Sequence, residues 1–525
     1  MNQPTLPPFD IERQLKYWKM CLDRPLPHHY LSNEANRMAL AWFIINSITI
    51  LTPDLDESVG ARTESSRSDS SVVARTESPT SDSSVVAQTE SSTTSKQLIS
   101  PISPEDKPKL RQWVLSHQQP GGGFASTSSL VFPLHAHEQW AAETGTETTE
   151  RSGMANAPGT LFALQLLALL ADDDDPAGAF NGVDRVQTLR WLKRLQREDG
   201  SFGEVLRQLP GQGWFIGGGY DMRYCYIAAA IRWMLRDEEL PADQPGYVED
   251  IDTKRLMMYI SMCQSYSGGF AGSSRDEAHA GYAYCALAAI RLLDRPLETL
   301  PGYYHSELIY KIIPDMSRLN RWLAWRQFVY LDPNTPSVEL DPSSSASVED
   351  GDIVNFLLPK SPADLSLLTA EDKSASLLVA SNGRTNKVAD TCYTWWVGAA
   401  LANANQSAFL HKNPLFDWRA SRRFLLEKMA HPIGGFSKYP GGPPDVYHSC
   451  FGLAALGLML EPGLEHVDPD FAVPLNTVKV IEKARAKLFE QPKRASALAL
   501  DLQKMGVEMG GSSTPKWMQT LYGFT

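Results

Sequence analysis

Two kinds of helical segment alternate along this chain. The first carries apolar residues at spacings of three and four with charged residues between, as in 108–118, 185–197, 253–264, 319–331 and 418–430. That spacing is the period of a helix with one buried stripe. The second is apolar almost all round and rich in Ala and Gly, as in 159–171, 223–236, 279–293, 392–403 and 447–459. A helix with no polar face has to be buried on most sides. Gly-rich turns separate the two kinds, at 121–124, 199–202, 268–270, 383–384 and 434–436, most of them closed by a Phe. Gly permits the left-handed conformation that ends a helix, and the following Phe can fold back onto the core. Each unit therefore reads as a helical hairpin, amphipathic helix first and apolar helix second. Repeated hairpins of this kind predict an all-α fold, an α/α barrel with an outer and an inner ring of helices. A right-handed α-solenoid is the competing layout. The barrel is preferred because aromatic and polar residues cluster at the N-terminal ends of the inner helices, as at one end of a shared interior.

Two stretches break the pattern. Residues 61–95 repeat a 13-residue unit of Ser, Thr and small polar residues (ARTESSRSDSSVV, ARTESPTSDSSVV), with almost nothing to bury. A second polar stretch begins near 334. The expected organisation is a single barrel over 1–525, enlarged by low-complexity insertions at about 56–98 and 334–375. Composition agrees with a large core: 43% of the 525 residues are hydrophobic and 13 are Trp. The charge balance, 61 acidic against 49 basic residues, argues against a general nucleic-acid binder. No apolar run reaches the ~18–20 residues of a membrane span. The N-terminus lacks a basic-then-apolar signal pattern. Six scattered cysteines without a CxxC pair do not form a disulfide framework, which predicts a reducing, cytoplasmic setting.

Candidate chemistry stands at the starts of inner helices. Asp390 and Cys392 open one, and His448 lies at the start of another. Asp, Cys and His together make a catalytic zinc pattern, three protein ligands with an open fourth position. From spacing alone, a helix cap, a core thiol and a satisfied histidine are the stronger explanation. Arg223, His279, Arg384 and Lys387 each open an inner helix or the turn before it. On parallel helices they would converge above an aromatic interior. That suits an amphiphile with an anionic head, such as a polyprenyl diphosphate; a ring of solvated charges is the alternative. The acidic run 172–175 precedes Pro176 and reads as a helix-ending loop, not as a cyclase proton donor. The glycines at 217–219 lack the Lys-Ser/Thr and strand context of a phosphate-binding loop.

The segments GGYDMRYCY (218–226), SGGFAGSSRDEAHAGYAYCALAAI (267–290), GRTNKVADTCYTWWVGAAL (383–401) and GGFSKYPGGPPDVYHSCFGLAALGL (434–458) carry a family resemblance. Over about 9–460 the chain resembles the β subunits of the protein prenyltransferases, most of all those of geranylgeranyltransferase type I. The resemblance implies an α/α barrel and zinc bound by Asp390, Cys392 and His448. It implies diphosphate binding by His279, Arg384, Lys387 and Tyr393. Arg223, Tyr226 and Trp396 match positions lining the isoprenoid and peptide cavity. Ala39 stands where farnesyltransferases carry a Trp that shortens the lipid pocket, so a geranylgeranyl chain fits. Lys438 stands ten residues before His448, where farnesyltransferases carry a magnesium-binding Asp. An ammonium there would make Mg2+ unnecessary. Tyr447 departs from the type I pattern, which has Leu, and opens the choice of terminal residue in the protein substrate.

The implied activity is thioether formation between geranylgeranyl diphosphate and the cysteine of C-terminal CaaX motifs, X mainly Leu, on proteins such as Rho-type small GTPases. Zinc would turn the acceptor thiol into a thiolate, and the cations, with Lys438, would stabilise the leaving diphosphate. The family works as a heterodimer with a helical-repeat α subunit. A farnesyltransferase-like or dual-specificity β subunit stays open, as does a non-catalytic helical scaffold.

Overall fold

A short polar side chain opens most of the helices. In the computed structural model, the described residues are 8–53, 100–129, 154–209, 213–236, 240–244, 246–297, 304–330, 378–407 and 410–504. The insertions expected at about 56–98 and 334–375 lie outside them. Outer and inner helices alternate: α1 (Ile11–Asp23) and α2 (Arg37–Leu51), α3 (Asp106–Leu115) and α4 (Ala157–Leu169), α5 (Arg185–Arg194) and α6 (Met222–Leu235), α7 (Thr253–Met262) and α8 (Ala280–Leu293). There follow the short α9 (Leu308–Ile312), then α10 (Met316–Ala324) and α11 (Thr391–Ala404). Last come α12 (Trp418–Phe424), prolonged by a π-helical turn at Leu425–Met429, with α13 (Val446–Leu458), and finally α14 (Leu475–Lys504).

Burial separates the two sets as their patterns require. Outer α10 buries only Leu319, Trp322 and Leu323, whereas in inner α6 every residue but Arg223 and Tyr224 is buried. Each fully buried Leu or Ile contributes about 1.5–3 kcal/mol over leaving it exposed, so the inner helices carry the core. α2 packs on α4, α4 on α6, α6 on α8, α8 on α11 and α11 on α13, and α13 returns to α2. That last contact closes the ring and decides for the barrel over the solenoid.

All the inner helices start at one end. A helix leaves its first N–H groups without internal partners, and here the loop leading into the next inner helix takes one of them up. Met38 N–H donates to the Ser126 carbonyl, Ala157 to Glu204, Ala280 to Gly383 and Thr391 to Lys438. Val446 N–H donates to the Tyr30 hydroxyl, in the 3-10 segment that leads into α2. This end is the mouth. The loop 464–474 fills the other end. Asn46 (α2), Gln165 (α4), Tyr284 (α8) and Asn403 (α11) donate to the carbonyls of Ala472, Phe471, Asp470 and Pro469.

Three features differ from the sequence expectation. The helix expected over 319–331 ends at Ala324, and Gln327–Val329 forms a strand paired antiparallel with Val379–Ser381. Phe328 and Ala380 bury that pair, so a helical apolar spacing here serves a strand. A second hairpin, Val205–Leu209 with Gly213–Gly217, precedes α6. The helices α1 and α14 extend the fold at both ends of the repeat.

Candidate functional site

Asp390 is the N-cap of α11, its Oδ1 accepting from the Cys392 N–H at 2.9 Å. Asp445 is the N-cap of the neighbouring α13, where its Oδ1 accepts from the His448 N–H at 2.9 Å. Its Oδ2 meets the same residue's Nδ1 at 2.6 Å. That bond turns Nε2 of His448 toward Asp390, 3.1 Å from Oδ1 and 3.2 Å from Oδ2. The ligand atoms of Asp390, Cys392 and His448 all lie within 4.8 Å of one another, and all three residues are buried.

Burial and mutual contact set the protonation of the three groups. Burial alone would lower the pKa of His448, but its hydrogen bonds to the Asp390 and Asp445 carboxylates raise it to about 9. Burial opposes ionisation of Asp390 too, yet His448 holds its carboxyl below the ordinary value. Burial and then the Asp390 carboxylate push the Cys392 thiol far up. A bound cation would relieve the thiol. A donor set of one sulfur, one nitrogen and one carboxylate oxygen suits zinc and does not suit magnesium or calcium. Asp445 supplies the outer carboxylate that commonly orients a metal-ligating histidine.

A second cluster stands beside the first. His279 is the N-cap of α8, and its Nδ1 accepts from the Gly281 N–H at 3.0 Å. The ring proton therefore sits on Nε2, which donates to the Tyr393 hydroxyl at 3.0 Å. Burial, then the charges of Arg384 and Arg223, lower the His279 pKa to about 4, so the ring is neutral. Arg384 pairs with Glu277 at 2.9 Å and Arg223 with Asp221 at 2.6 Å. Lys387 and Lys438 are exposed. The Lys387 carbonyl accepts from Asn382 Nδ2 at 2.8 Å.

Aromatic rings fill the interior next to these polar groups. Trp396 lies 4.6 Å from Phe451 and 5.1 Å from Tyr284, centroid to centroid. Tyr447 stands edge-on to Phe43 at 5.4 Å and to Phe451 at 5.0 Å. Tyr226 is buried, 5.6 Å from Tyr284. Ala39 is partly buried one turn before Phe43 on α2, and Phe43 lies 6.2 Å from Phe162 of α4. Sequence reading missed Asp221, Glu277, Asp445, Phe43, Phe162, Tyr284 and Phe451. An Asp at the capping position just before an inner helix was the available signal for Asp221 and Asp445; Glu277 and the aromatics gave none.

Over residues 9–77 and 75–473 the chain matches the family model described as the prenyltransferase alpha-alpha toroid domain. It is 29% identical over 478 residues to the geranylgeranyl transferase type-1 subunit beta of Arabidopsis thaliana, 89% of each chain. The corresponding subunit of Dictyostelium discoideum is 27% identical over 317 residues, 60% of this chain and 63% of that one. The protein farnesyltransferase subunit beta of Pyricularia oryzae is 28% identical over 320 residues, 58% of this chain and 48% of that one. Among solved structures, Candida albicans protein geranylgeranyltransferase-I complexed with GGPP superposes with a TM-score of 0.59 at 21% identity, over 91% of this chain and 100% of that one. At that identity the likeness concerns the fold.

Proposed function

The chain belongs to the prenyltransferase alpha-alpha toroid family, and from that membership we propose that it is the catalytic β subunit of a zinc-dependent protein geranylgeranyltransferase type I. The observation that carries this is the joining of two clusters at one mouth. Asp390, Cys392 and His448 bring ligand atoms within 4.8 Å of one another, and the His279–Tyr393 pair stands next to them, Tyr393 following Cys392 on α11. The names of the type-1 beta relatives, and the 89% coverage of both chains in the Arabidopsis match, support the same reading.

Zinc held by Asp390, Cys392 and His448 would supply the positive charge that keeps an acceptor thiol ionised at neutral pH. Asp445 would hold the Nδ1 proton of His448 and aim Nε2 at the site, leaving that nitrogen's lone pair for the metal. Arg384, Lys387 and Lys438, with hydroxyl and N–H donors from Tyr393 and His279, would hold the diphosphate of geranylgeranyl diphosphate. They would also stabilise the charge it gains on leaving. Such preorganised donors are commonly worth about 3–4 kcal/mol each. Lys438 would neutralise that charge without Mg2+. Ala39 and the rings of Phe43, Trp396 and Tyr447 would receive the isoprenoid chain and the end of the CaaX peptide.

The partner would be a prenyltransferase α subunit, and the mouth is built to be covered. Trp214, Phe215, Tyr266, Trp325, Ile433 and Tyr439 are about half exposed or more. All six lie on connections that lead from an outer to an inner helix. The six cysteines form no disulfide, which suits a reducing cytoplasm. No helix among the described residues is long and apolar enough to cross a membrane.

A farnesyltransferase-like or dual-specificity reading has one observation in its favour, the Tyr447 ring packed between Phe43 and Phe451 beside the metal cluster. The deciding experiment is a donor competition on the purified αβ complex. Geranylgeranyl diphosphate on a CaaL peptide should outpace farnesyl diphosphate on CaaM or CaaS peptides, with no added magnesium. Dominant farnesyl transfer would transfer the assignment to the sister enzyme. A complex without zinc, indifferent to Cys392→Ala, would leave a non-catalytic scaffold.

A further inference from the structure

A glycine stands at 383 where the backbone does not ask for one. Its φ lies outside the positive region that the other strained glycines occupy, so any residue could adopt this conformation. What excludes a side chain is the ring of Tyr393: a Cβ at 383 would overlap its Cε1, Cζ and hydroxyl oxygen. The Gly383 carbonyl accepts from the Ala280 N–H at 2.9 Å, the first residue of α8. One buried residue therefore touches both sides of the His279–Tyr393 hydrogen bond. Its carbonyl anchors the start of the helix that His279 caps, and its bare Cα leaves the space that the Tyr393 ring edge and hydroxyl occupy. The next residues carry Arg384 and Lys387, on a turn pinned from within by Asn382 Nδ2 to the Lys387 carbonyl.

We propose that Gly383 is a positioning residue for an anionic diphosphate headgroup. It sets the Tyr393 hydroxyl beside His279 Nε2 and holds the turn that presents Arg384 and Lys387. Its missing side chain acts through Tyr393, its carbonyl, which Ala would keep, anchors the chain beside that turn, and it does not touch the ligand. This role presupposes the prenyl diphosphate reading given above and adds to it the element that shapes the headgroup site.

The test uses the αβ complex and two probes, geranylgeranyl diphosphate and inorganic diphosphate. Gly383→Ala should raise the Kd of both, and the KM of the lipid, roughly 10- to 100-fold, the cost of displacing a binding group by about an ångström. Zinc content and CaaX-peptide affinity should stay as in the wild type, a split that a general folding defect would not give. In a Tyr393→Ala background the overlap is gone, so adding Gly383→Ala should change nothing further. The double variant also relieves the overlap, so it assembles even if the single variant does not. Unchanged binding in Gly383→Ala, or an equal further loss in the Tyr393→Ala background, overturns the proposal. If the wild-type complex binds neither probe, the diphosphate reading falls and this role with it. If the wild type binds and Gly383→Ala binds equally well, only the role of Gly383 falls.

Discussion

The two ends of the ring are both dense in charge and use it in opposite ways. At the closed end, Asp470 receives Arg291 Nε at 2.7 Å, Arg295 Nη1 at 2.8 Å and the Tyr304 hydroxyl at 2.7 Å, and Arg295 reaches Asp468 at 3.0 Å. Asp470 is 1% exposed and Arg295 2%. Burial would raise the Asp470 carboxyl, but Arg291 and Arg295 hold it below its usual range. Each charge there is matched inside the protein. At the mouth the matches are provisional. Arg384 and Glu277 are 40% and 57% exposed, and exposed pairs are typically worth about 0–1 kcal/mol. A diphosphate can displace such a partner cheaply. The Asp390–His448 contact is a different case, a buried cluster in which burial and then the Asp390 carboxylate push the Cys392 thiol up. The lesson is that buried, matched charge holds the fold, whereas exposed, weakly held charge stays available to a ligand.

The largest expected effect tests the saturated end. Asp470→Asn leaves Arg291 and Arg295 buried with one carboxylate fewer. Breaking a buried pair this way costs about 3–5 kcal/mol. Denaturant unfolding of the αβ complex should show that loss. Zinc content and lipid affinity of the folded fraction should be unchanged. Loss of zinc with little loss of stability would mean the closed end governs the mouth, and the contrast would fail.

Asp445→Asn is the intermediate case. Asn is as good a helix cap as Asp, so α13 should keep its start and the complex its stability. What disappears is the carboxylate on His448 Nδ1, and outer partners of metal ligands typically matter about 10- to 100-fold in metal affinity. Competition with a chelator of known zinc affinity measures this. A stability loss without weaker zinc binding would recast Asp445 as a cap only.

The architecture is largely legible from the pattern of apolar residues. Inner segments such as 159–171 and 447–459 are greasy all round because they are sandwiched between two layers. Local pattern fails where a partner is distant. Gln327–Val329 extends the apolar spacing of α10, and only pairing with Val379–Ser381 makes it a strand. Asp468 and Asp470 look like loop acids until Arg291 and Arg295 are seen beside them. The Asp390, Cys392 and His448 group is readable as residue types but not as a choice between cap and metal ligand. Asp390 turns out to be a helix cap and a potential ligand at once, so the two readings of its position do not compete. Asp445 gave only its capping signal, because its second role depends on His448, on the same helix, being turned toward Asp390 on another; Gly383 gave only a turn, because its further contacts lie on other helices.

The smallest expected effect concerns His279 and pH. Its folded pKa of about 4 lies below the ordinary value near ~6.5, and the causes are burial first, then Arg384 and Arg223. A depressed histidine pKa means the neutral ring is the favoured folded form. Its contribution to stability is fully present above about 6.5 and is lost as pH falls toward about 4. A bound diphosphate reverses part of the bias, because two phosphoryl groups favour the imidazolium. Binding should therefore take up a proton once the pH enters that window. The phosphate groups themselves titrate there, so the effect is read against His279→Asn, which keeps an acceptor for the Gly281 N–H at the cap. The ratio of wild-type to variant affinity for geranylgeranyl diphosphate should grow a few-fold between pH about 7 and 5. A ratio flat across that range would mean His279 stays neutral with the ligand bound. The mouth would then hold its anion through Arg384, Lys387 and Lys438 alone, with His279 serving only to orient Tyr393.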